Sequence, residues 1–285
     1  KYNQINFNMK KTYKIIIILI IVIGMGIAIS INLNKNQTPL PVNLQVTEYK
    51  NPEALIKVIS EMEAHNIKPA TIFVGGELAK NNCQLIKDLD QKGYEIAAFG
   101  YALDENGEFI QLANLTKEKQ EEIIKNAKDD IENCLGHKIA GFRSQRFSQN
   151  KDTIEIVKDL EFSWNGSFVV NWHKEASFVP YYSNDYGFYV VSIEGVKNSG
   201  YVLCDTATAS SGKTAKEWRK TIQEYFTIHQ QEKDPFITEF HPYFLTDNSD
   251  WWDEFINLLD WFQKQKVNYL TTQQFIDSSC LVCGE

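Results

Sequence analysis

The chain has 285 residues, of which 43% are hydrophobic and 23% are charged. This is the balance of an ordinary globular protein and excludes a disordered or fibrous one. The formal net charge of −8 argues against a general nucleic-acid-binding surface, because phosphate binding needs clustered lysine and arginine. A chain of this length forms one large domain or two small ones.

The first distinctive segment is an apolar run near the N-terminus. Lysines within residues 10–14 precede the uncharged stretch IIIILIIVIGMGIAISI, which begins at residue 15. The run is at the short end of what spans a bilayer, and basic residues before it favour a cytoplasmic N-terminus. We therefore predict a cytoplasmic tail at 1–14 and a transmembrane helix at 15–32, which place the rest of the chain outside the cell. A cleaved signal peptide, which would give a secreted domain, stays open.

The remainder divides into a linker, a globular region and a short tail. A polar linker ending in two prolines occupies 33–41, the globular region occupies 42–277, and a cysteine-containing tail occupies 278–285. An exterior location permits disulfides. Cys83 and Cys134 fall on two successive predicted helices and could pair.

Strand and helix patterns alternate through the globular region. Short apolar runs predict strands at 43–49, 70–76, 94–101, 139–145, 162–168, 236–241 and 269–272. Amphipathic spacing and capping signals predict helices at 52–67, 77–93, 115–136, 150–161, 217–231 and 251–265. Residues 171–212 are less regular, with a strand-like piece at 188–195. The rhythm indicates an α/β protein whose parallel sheet closes, fully or partly, into a barrel, with functional side chains after the strand ends.

Four segments in the same order carry a resemblance to a known family. They are HNIKPATIFVGGELAKNNCQLIKDLDQKGYEIA, GFRSQRFSQNKDTIEIVKDLEFSWNGSF, ITEFHPYFL and the terminal helix followed by YLTTQQFID. The set resembles the polysaccharide deacetylase family, the NodB-homology domains of carbohydrate esterase family four, and covers most of residues 42–277. The resemblance implies a distorted (β/α)7 barrel.

The resemblance also implies a reaction, metal-dependent amide hydrolysis, whose ligands this sequence lacks. In the family an aspartate and two histidines hold a divalent metal, usually zinc, while a second aspartate is the general base and a late histidine the general acid. The ligand histidines fall at Phe99 and Leu103, in GYEIAAFGYALDE, and neither side chain can bind a metal. The paired aspartates fall at Thr47 and Glu48, or at Glu48 and Tyr49, so at most one carboxylate remains.

The later motifs match the family better. His241, in FHPYF, matches the late general acid, and Arg143 matches the arginine that orients the base in the family. The prolines that follow the family arginine are replaced by Ser144 and Gln145. The catalytic candidates are therefore His241, Arg143 and Glu48, and we expect no metal ligand and no bound cofactor.

We predict a degenerate deacetylase domain at the cell membrane that binds a cell-surface glycan in the old groove. The candidate sugar contacts are aromatic side chains near the expected site, namely Phe99, Tyr101, Trp164, Trp172 and Tyr243. The same rings could simply pack in the core. Two alternative hypotheses of function remain. The protein could be an active hydrolase of N-acetyl amide bonds with a rebuilt or metal-independent site, or it could be a structural or partner-binding module.

Overall fold

The computed structural model of the protein describes residues 38–104 and 106–280. The predicted N-terminal tail, the predicted transmembrane helix at 15–32 and most of the predicted linker lie outside these residues. Within the two described ranges, no helix is long and apolar enough to cross a membrane.

One nine-stranded sheet organises the domain. Its strands are β1 (Leu40–Glu48), β2 (Thr71–Val74), β3 (Glu95–Ala98), β4 (Gly141–Phe142), β5 (Trp164–Val169), β6 (Tyr181–Ser183), β7 (Phe188–Ile193), β8 (Phe236–Phe240) and β9 (Val267–Tyr269). The spatial order is β6-β7-β5-β4-β3-β2-β1-β8, and β9 pairs with the start of β1. Every pair is parallel except β6 with β7. This confirms the predicted parallel sheet.

Helices follow most strands, as the sequence pattern predicted. They are α1 (Pro52–Ala64), α2 (Gly76–Asn81), α3 (Cys83–Gln91), α4 (Lys117–Leu135), α5 (Lys151–Asp159), α6 (Asp205–Ser210), α7 (Ala215–Glu232), α8 (Pro242–Asp247), α9 (Ser249–Phe262) and α10 (Thr272–Cys280). The single helix predicted at 77–93 is wrong, because Asn82 leaves the helical region with φ −131° and ψ 41° and separates α2 from α3. The first strand, β1, begins at Leu40 and the last helix, α10, ends at Cys280.

The two faces of the sheet are buried in two different hydrophobic cores. In β1, Val42, Leu44 and Val46 belong to the larger core between sheet and helices. Successive side chains of a strand point to opposite faces, so the alternate residues Gln45 and Thr47 face the barrel interior. That interior holds a second apolar cluster and the buried polar groups described below.

The barrel is not closed by a continuous ladder. β7 and β8 are not hydrogen-bonded neighbours. Instead, Gly195 pairs with Val202, and Cys204 pairs with Glu239, each as an isolated bridge. The structure is therefore an incomplete α/β barrel, in line with the distorted barrel that the resemblance implied. We refer to residues 195–204 as the seam segment.

A disulfide confirms the pairing suggested by the sequence. Cys83, at the start of α3, is bonded to Cys134 in α4, across 51 positions of the chain. The bond joins two neighbouring helices on the outside of the sheet.

We predict that the double substitution Cys83→Ser and Cys134→Ser lowers the free energy of unfolding by roughly 2–4 kcal/mol, because an open loop of this size gains entropy in the unfolded chain. Urea unfolding followed by far-UV circular dichroism measures the loss. The unsubstituted protein unfolded in a thiol reductant serves as the control and should match the variant. An unchanged unfolding midpoint after reduction would contradict the prediction.

Candidate functional site

A cavity of about 550 Å³ opens at the carboxyl ends of the strands. Tyr49 reaches it from the end of β1, Phe99 from the end of β3, Arg143 from the end of β4 and His241 from the end of β8. Its other aromatic residues are Phe109, Phe147, Trp172, Tyr201 and Tyr243, and its other polar or small residues include Arg146, Ser199, Cys204, Thr206, Ser210 and Glu239. Carboxyl strand ends are where barrels of this kind carry their sites.

Arg143 and Glu239 form a buried ion pair beneath this cavity. The Arg143 Nη1 lies 2.7 Å from Glu239 Oε1, and both residues are about 1% exposed. The guanidinium also donates from Nε to the Gly166 carbonyl at 3.1 Å and from Nη2 to Gln45 Oε1. It stacks on the Phe73 ring with 3.8 Å between Cζ and the ring centroid. Arg143 is thus held by hydrogen bonds to three strands and by stacking on one aromatic ring.

Glu239 remains ionised in this setting. Burial opposes its charge, but the charges of Arg143 and His241 and the hydroxyl of Thr47 outweigh it and hold the pKa of Glu239 below its ordinary value. Thr47 donates its hydroxyl to Glu239 Oε1. The family resemblance aligns Thr47, on β1, with one of the family's paired aspartates. In this structure the carboxylate next to Thr47 is that of Glu239, on β8.

His241 is held by a second carboxylate, that of Asp205. The Nδ1 atom of His241 lies 2.6 Å from Asp205 Oδ1, and the His241 backbone N–H donates to Asp205 Oδ2 at 2.7 Å. The Nε2 atom lies 3.7 Å from Glu239 Oε1. Burial acts to lower the pKa of His241, but Asp205 and Glu239 outweigh it and raise the pKa to about 9. The imidazole is therefore protonated at neutral pH and can donate a proton or a hydrogen bond.

Glu48, predicted as a catalytic residue, does not line the cavity. Its Oε1 accepts from the backbone N–H groups of Tyr49, Lys50 and Asn51 at 2.9, 3.1 and 3.1 Å. Its Oε2 accepts from the N–H of Tyr243 at 2.8 Å. The side chain is completely buried, and both oxygens are used by the protein. The prediction is corrected because these backbone donors turn the carboxylate away from the cavity.

The predicted sugar contacts divide into two groups. Phe99, Trp172 and Tyr243 line the cavity, and Trp172 is 44% exposed. Trp164 does not fit the predicted role, because it is fully buried in the inner core and its Nε1 donates to Glu95. Tyr101 does not fit it either, because its hydroxyl donates to Asp130 and its ring lines a separate cavity.

The residues present do not fit the metal of the family. Phe99 contributes an apolar ring to the cavity, Leu103 lines the separate cavity that holds Tyr101, and Thr47 is committed to Glu239. Glu48 is not among the residues that line the cavity, and its oxygens accept four backbone hydrogen bonds. We therefore derive no chemical step through a metal at that position.

One other group within the described residues has suitable donor types. Donor atoms of Cys204, Asp205 and His241 lie within 4.8 Å of one another. Asp205 is already bonded through both oxygens, and Nδ1 of His241 is one of its partners. Burial, with the nearby Glu239 and Asp205 charges, raises the pKa of the Cys204 thiol. Asp205 and His241 are therefore a hydrogen-bonded pair beside the neutral thiol of Cys204. They are not a set of ligands with positions open for a metal ion.

Two functional residues were missed at the level of sequence. Glu239 lies two residues before His241 in the predicted strand at 236–241, so the two-residue period places both side chains on the same face; this signal was available. Asp205 carried no such signal, because it lies in the irregular region and meets His241 only through the fold.

The domain was compared with known proteins. Residues 48–164 match the family model described as polysaccharide deacetylase. Over this segment, which is less than half of the chain, the protein is similar to the polysaccharide deacetylase family. The matched segment runs from the end of β1 to the start of β5 and includes Arg143, whereas Asp205, Glu239 and His241 lie beyond it.

A curated protein and several solved structures are similar to this chain at low identity. The chain is 27% identical over 130 residues to the uncharacterised protein YlxY of Bacillus subtilis, a match that spans 45% of this chain and 38% of that protein. Puue allantoinase superposes with a TM-score of 0.66 at 11% identity, over 85% of this chain and 93% of that one. A CE4 family pseudoenzyme from Bacillus anthracis superposes with a TM-score of 0.52 at 13% identity, over 85% and 71%. The structural similarities concern the fold alone.

We predict that Asp205→Asn lowers the pKa of His241 by more than one unit from about 9, towards its ordinary value of about 6.5. The reason is that the substitution removes the closest negative charge. Nuclear magnetic resonance titration of the imidazole carbons measures the pKa, and a His241→Gln variant assigns the signal among the five histidines.

Asp130→Asn is the matched control, because it removes a carboxylate bonded to Tyr101 outside the cavity. Since folding raises the pKa of His241, its contribution to stability is complete below about pH 6.5 and is lost as the pH rises through about 9. Titration of His241 near 6.5 in the unsubstituted protein would contradict this account.

Proposed function

We propose that this deacetylase-family barrel binds an N-acylated cell-surface glycan in the cavity at its strand ends and does not perform the metal-dependent reaction of the family. The observation that carries the proposal is the composition of the cavity. Aromatic rings surround a few fixed polar groups, while an apolar ring, that of Phe99, stands at a position assigned to a metal ligand. Binding sites for small ligands commonly combine apolar walls with a few oriented polar groups.

The aromatic walls suit the faces of sugar rings. Phe99, Tyr49 and Tyr243 line one region of the cavity, and the half-exposed Trp172 is available at its surface. Sugar rings have apolar C–H faces that stack on aromatic side chains. The protonated His241 and the ionised Glu239 offer a donor and an acceptor for hydroxyl or amide groups of the ligand.

The proposed location follows from the chain before the barrel. The predicted helix at 15–32 would anchor the protein in the membrane once, with the barrel outside the cell. The disulfide between Cys83 and Cys134 supports an oxidising exterior, because such bonds are rare in reducing compartments. The acidic net charge of −8 supports a partner other than nucleic acid.

A second candidate function is the metal-independent hydrolysis of a non-peptide C–N bond. The specific observation in its favour is that an imidazolium and a carboxylate, those of His241 and Glu239, lie 3.7 Å apart beside one cavity. Such a pair can supply a general acid and a general base without a metal. Acetate release that persists in a chelator would favour this function over binding alone.

We predict that the purified protein binds soluble N-acetylated chitin oligomers equally well with and without a chelator, and that Trp172→Ala weakens binding about tenfold, since one stacking ring contributes about 1 kcal/mol or somewhat more. Isothermal titration calorimetry measures the affinity. Elemental analysis of metal and assay of released acetate accompany it.

Tyr182→Ala is the matched control, because Tyr182 is 49% exposed but lies on the edge strand β6 and not in the cavity. Stoichiometric zinc with chelator-sensitive acetate release would overturn the proposal. Equal losses of affinity in the two variants would remove the cavity as the binding site.

A further inference from the structure

The Glu48 carboxylate connects two loops that carry cavity residues. It stands at the end of β1 and accepts from three N–H groups in the loop between β1 and α1, those of Tyr49, Lys50 and Asn51. Its other oxygen bonds to the N–H of Tyr243, in the first turn of α8. One buried side chain thus joins the loop after β1 to the loop after β8.

The residues at the two ends of this connection contact each other inside the cavity. The rings of Tyr49 and Tyr243 meet edge to face with 5.1 Å between their centroids. Tyr49 also contacts the Phe109 ring at 5.5 Å, and Tyr243 contacts the His241 ring at 5.8 Å. All four of these residues line the cavity. The Tyr49–Tyr243 pair is therefore the centre of one aromatic wall.

Gly75, after β2, fixes the same loop from the other side. Its N–H donates to the Glu48 carbonyl at 3.1 Å. A Cβ atom at residue 75 would lie 2.9 Å from Cβ of Tyr49, closer than real Cβ atoms approach. The absence of a side chain allows the two loops to lie together, so the position of Tyr49 is set by packing as well as by Glu48.

We propose that Glu48 is a positioning residue for the ligand cavity, because its carboxylate ties the loops after β1 and β8 together and so sets the contact between Tyr49 and Tyr243. The effect on ligand affinity rests on the glycan-binding function proposed above. The family resemblance aligns Glu48 with an aspartate that is a metal ligand or the general base. In this protein Glu48 instead connects two loops that carry cavity residues.

A carboxylate suits this role because it accepts on both oxygens and donates on neither. In Glu48→Gln, the amide oxygen can keep the three donors in the loop between β1 and α1. The amide NH2 group then faces the N–H of Tyr243, and two donors oppose each other. The substitution therefore breaks one connection selectively while it preserves the size of the side chain.

The deciding experiment compares Glu48→Gln with the unsubstituted full chain in two measurements. The affinity for chitin oligomers should fall about tenfold, and the nuclear Overhauser contact between the labelled Tyr49 and Tyr243 rings should weaken or vanish. Thr116→Ala is the control, because it removes the N-cap of α4 at a similar cost in stability but away from the cavity. It should change neither measurement.

A double-mutant cycle separates positioning from general destabilisation. If Glu48 acts through Tyr243, Glu48→Gln adds little further loss of affinity in a Tyr243→Ala background. Full additivity of the two losses would overturn the proposal, as would an E48Q protein with native affinity and an intact ring contact. Should E48Q not fold, Glu48→Asp replaces it, because we expect a carboxylate shorter by one methylene group to keep a bond to the adjacent loop and to lose the bond to the Tyr243 N–H.

Failure of the proposed function gives a different result. If the unsubstituted protein binds no chitin oligomer, the glycan proposal fails, while the ring contact in E48Q still decides the role of Glu48. If the unsubstituted protein binds and E48Q retains both affinity and ring contact, only the positioning role fails.

Discussion

The buried pair of Arg143 and Glu239 is the interaction on which the interior of this barrel depends. Two charges removed from water cost several kcal/mol each unless they find each other and further partners. Here the guanidinium reaches β8 through Glu239, β1 through Gln45 and β5 through the Gly166 carbonyl. A single side chain from β4 therefore links strands on opposite sides of the barrel. The polar residue at position 45 of β1 is explained by this partner, since an apolar residue there would leave a buried donor unpaired.

The electrostatics of the cavity follow from that pair. Glu239 is ionised because Arg143 is beside it, and Glu239 in turn helps Asp205 to keep His241 protonated. Two cations and two anions alternate in a row of close contacts, so the arrangement is neutral as a whole while it presents both a donor and an acceptor. A divalent ion placed in this row would meet two positive neighbours, Arg143 and His241, and their charges oppose its binding there.

The sequence predicted the elements better than it predicted the site. Alternation of apolar and polar residues in strands and the spacing in helices depend on local burial, so the parallel sheet and the order of elements followed from local pattern. The role of Glu48 did not, because motif position locates a backbone and not the direction of a side chain, which three adjacent N–H groups decide here. Asp205 meets His241 across 36 positions of the chain, and no local pattern reports such a contact.

The seam segment at 195–204 has a consequence for variation in length. Its described ladder contacts are the isolated bridges at Gly195 and Cys204, yet Ser199, Tyr201 and Val202 form part of the cavity wall. Loops outside a continuous ladder accept insertions at small entropic cost. A change of length in the exposed turn at 197–200 would alter this wall while the bridges at Gly195 and Cys204 stay in place. Because the barrel is incompletely closed, the cavity wall formed by the seam segment can change in length and sequence. The walls formed by residues at the strand ends are held in place by the sheet.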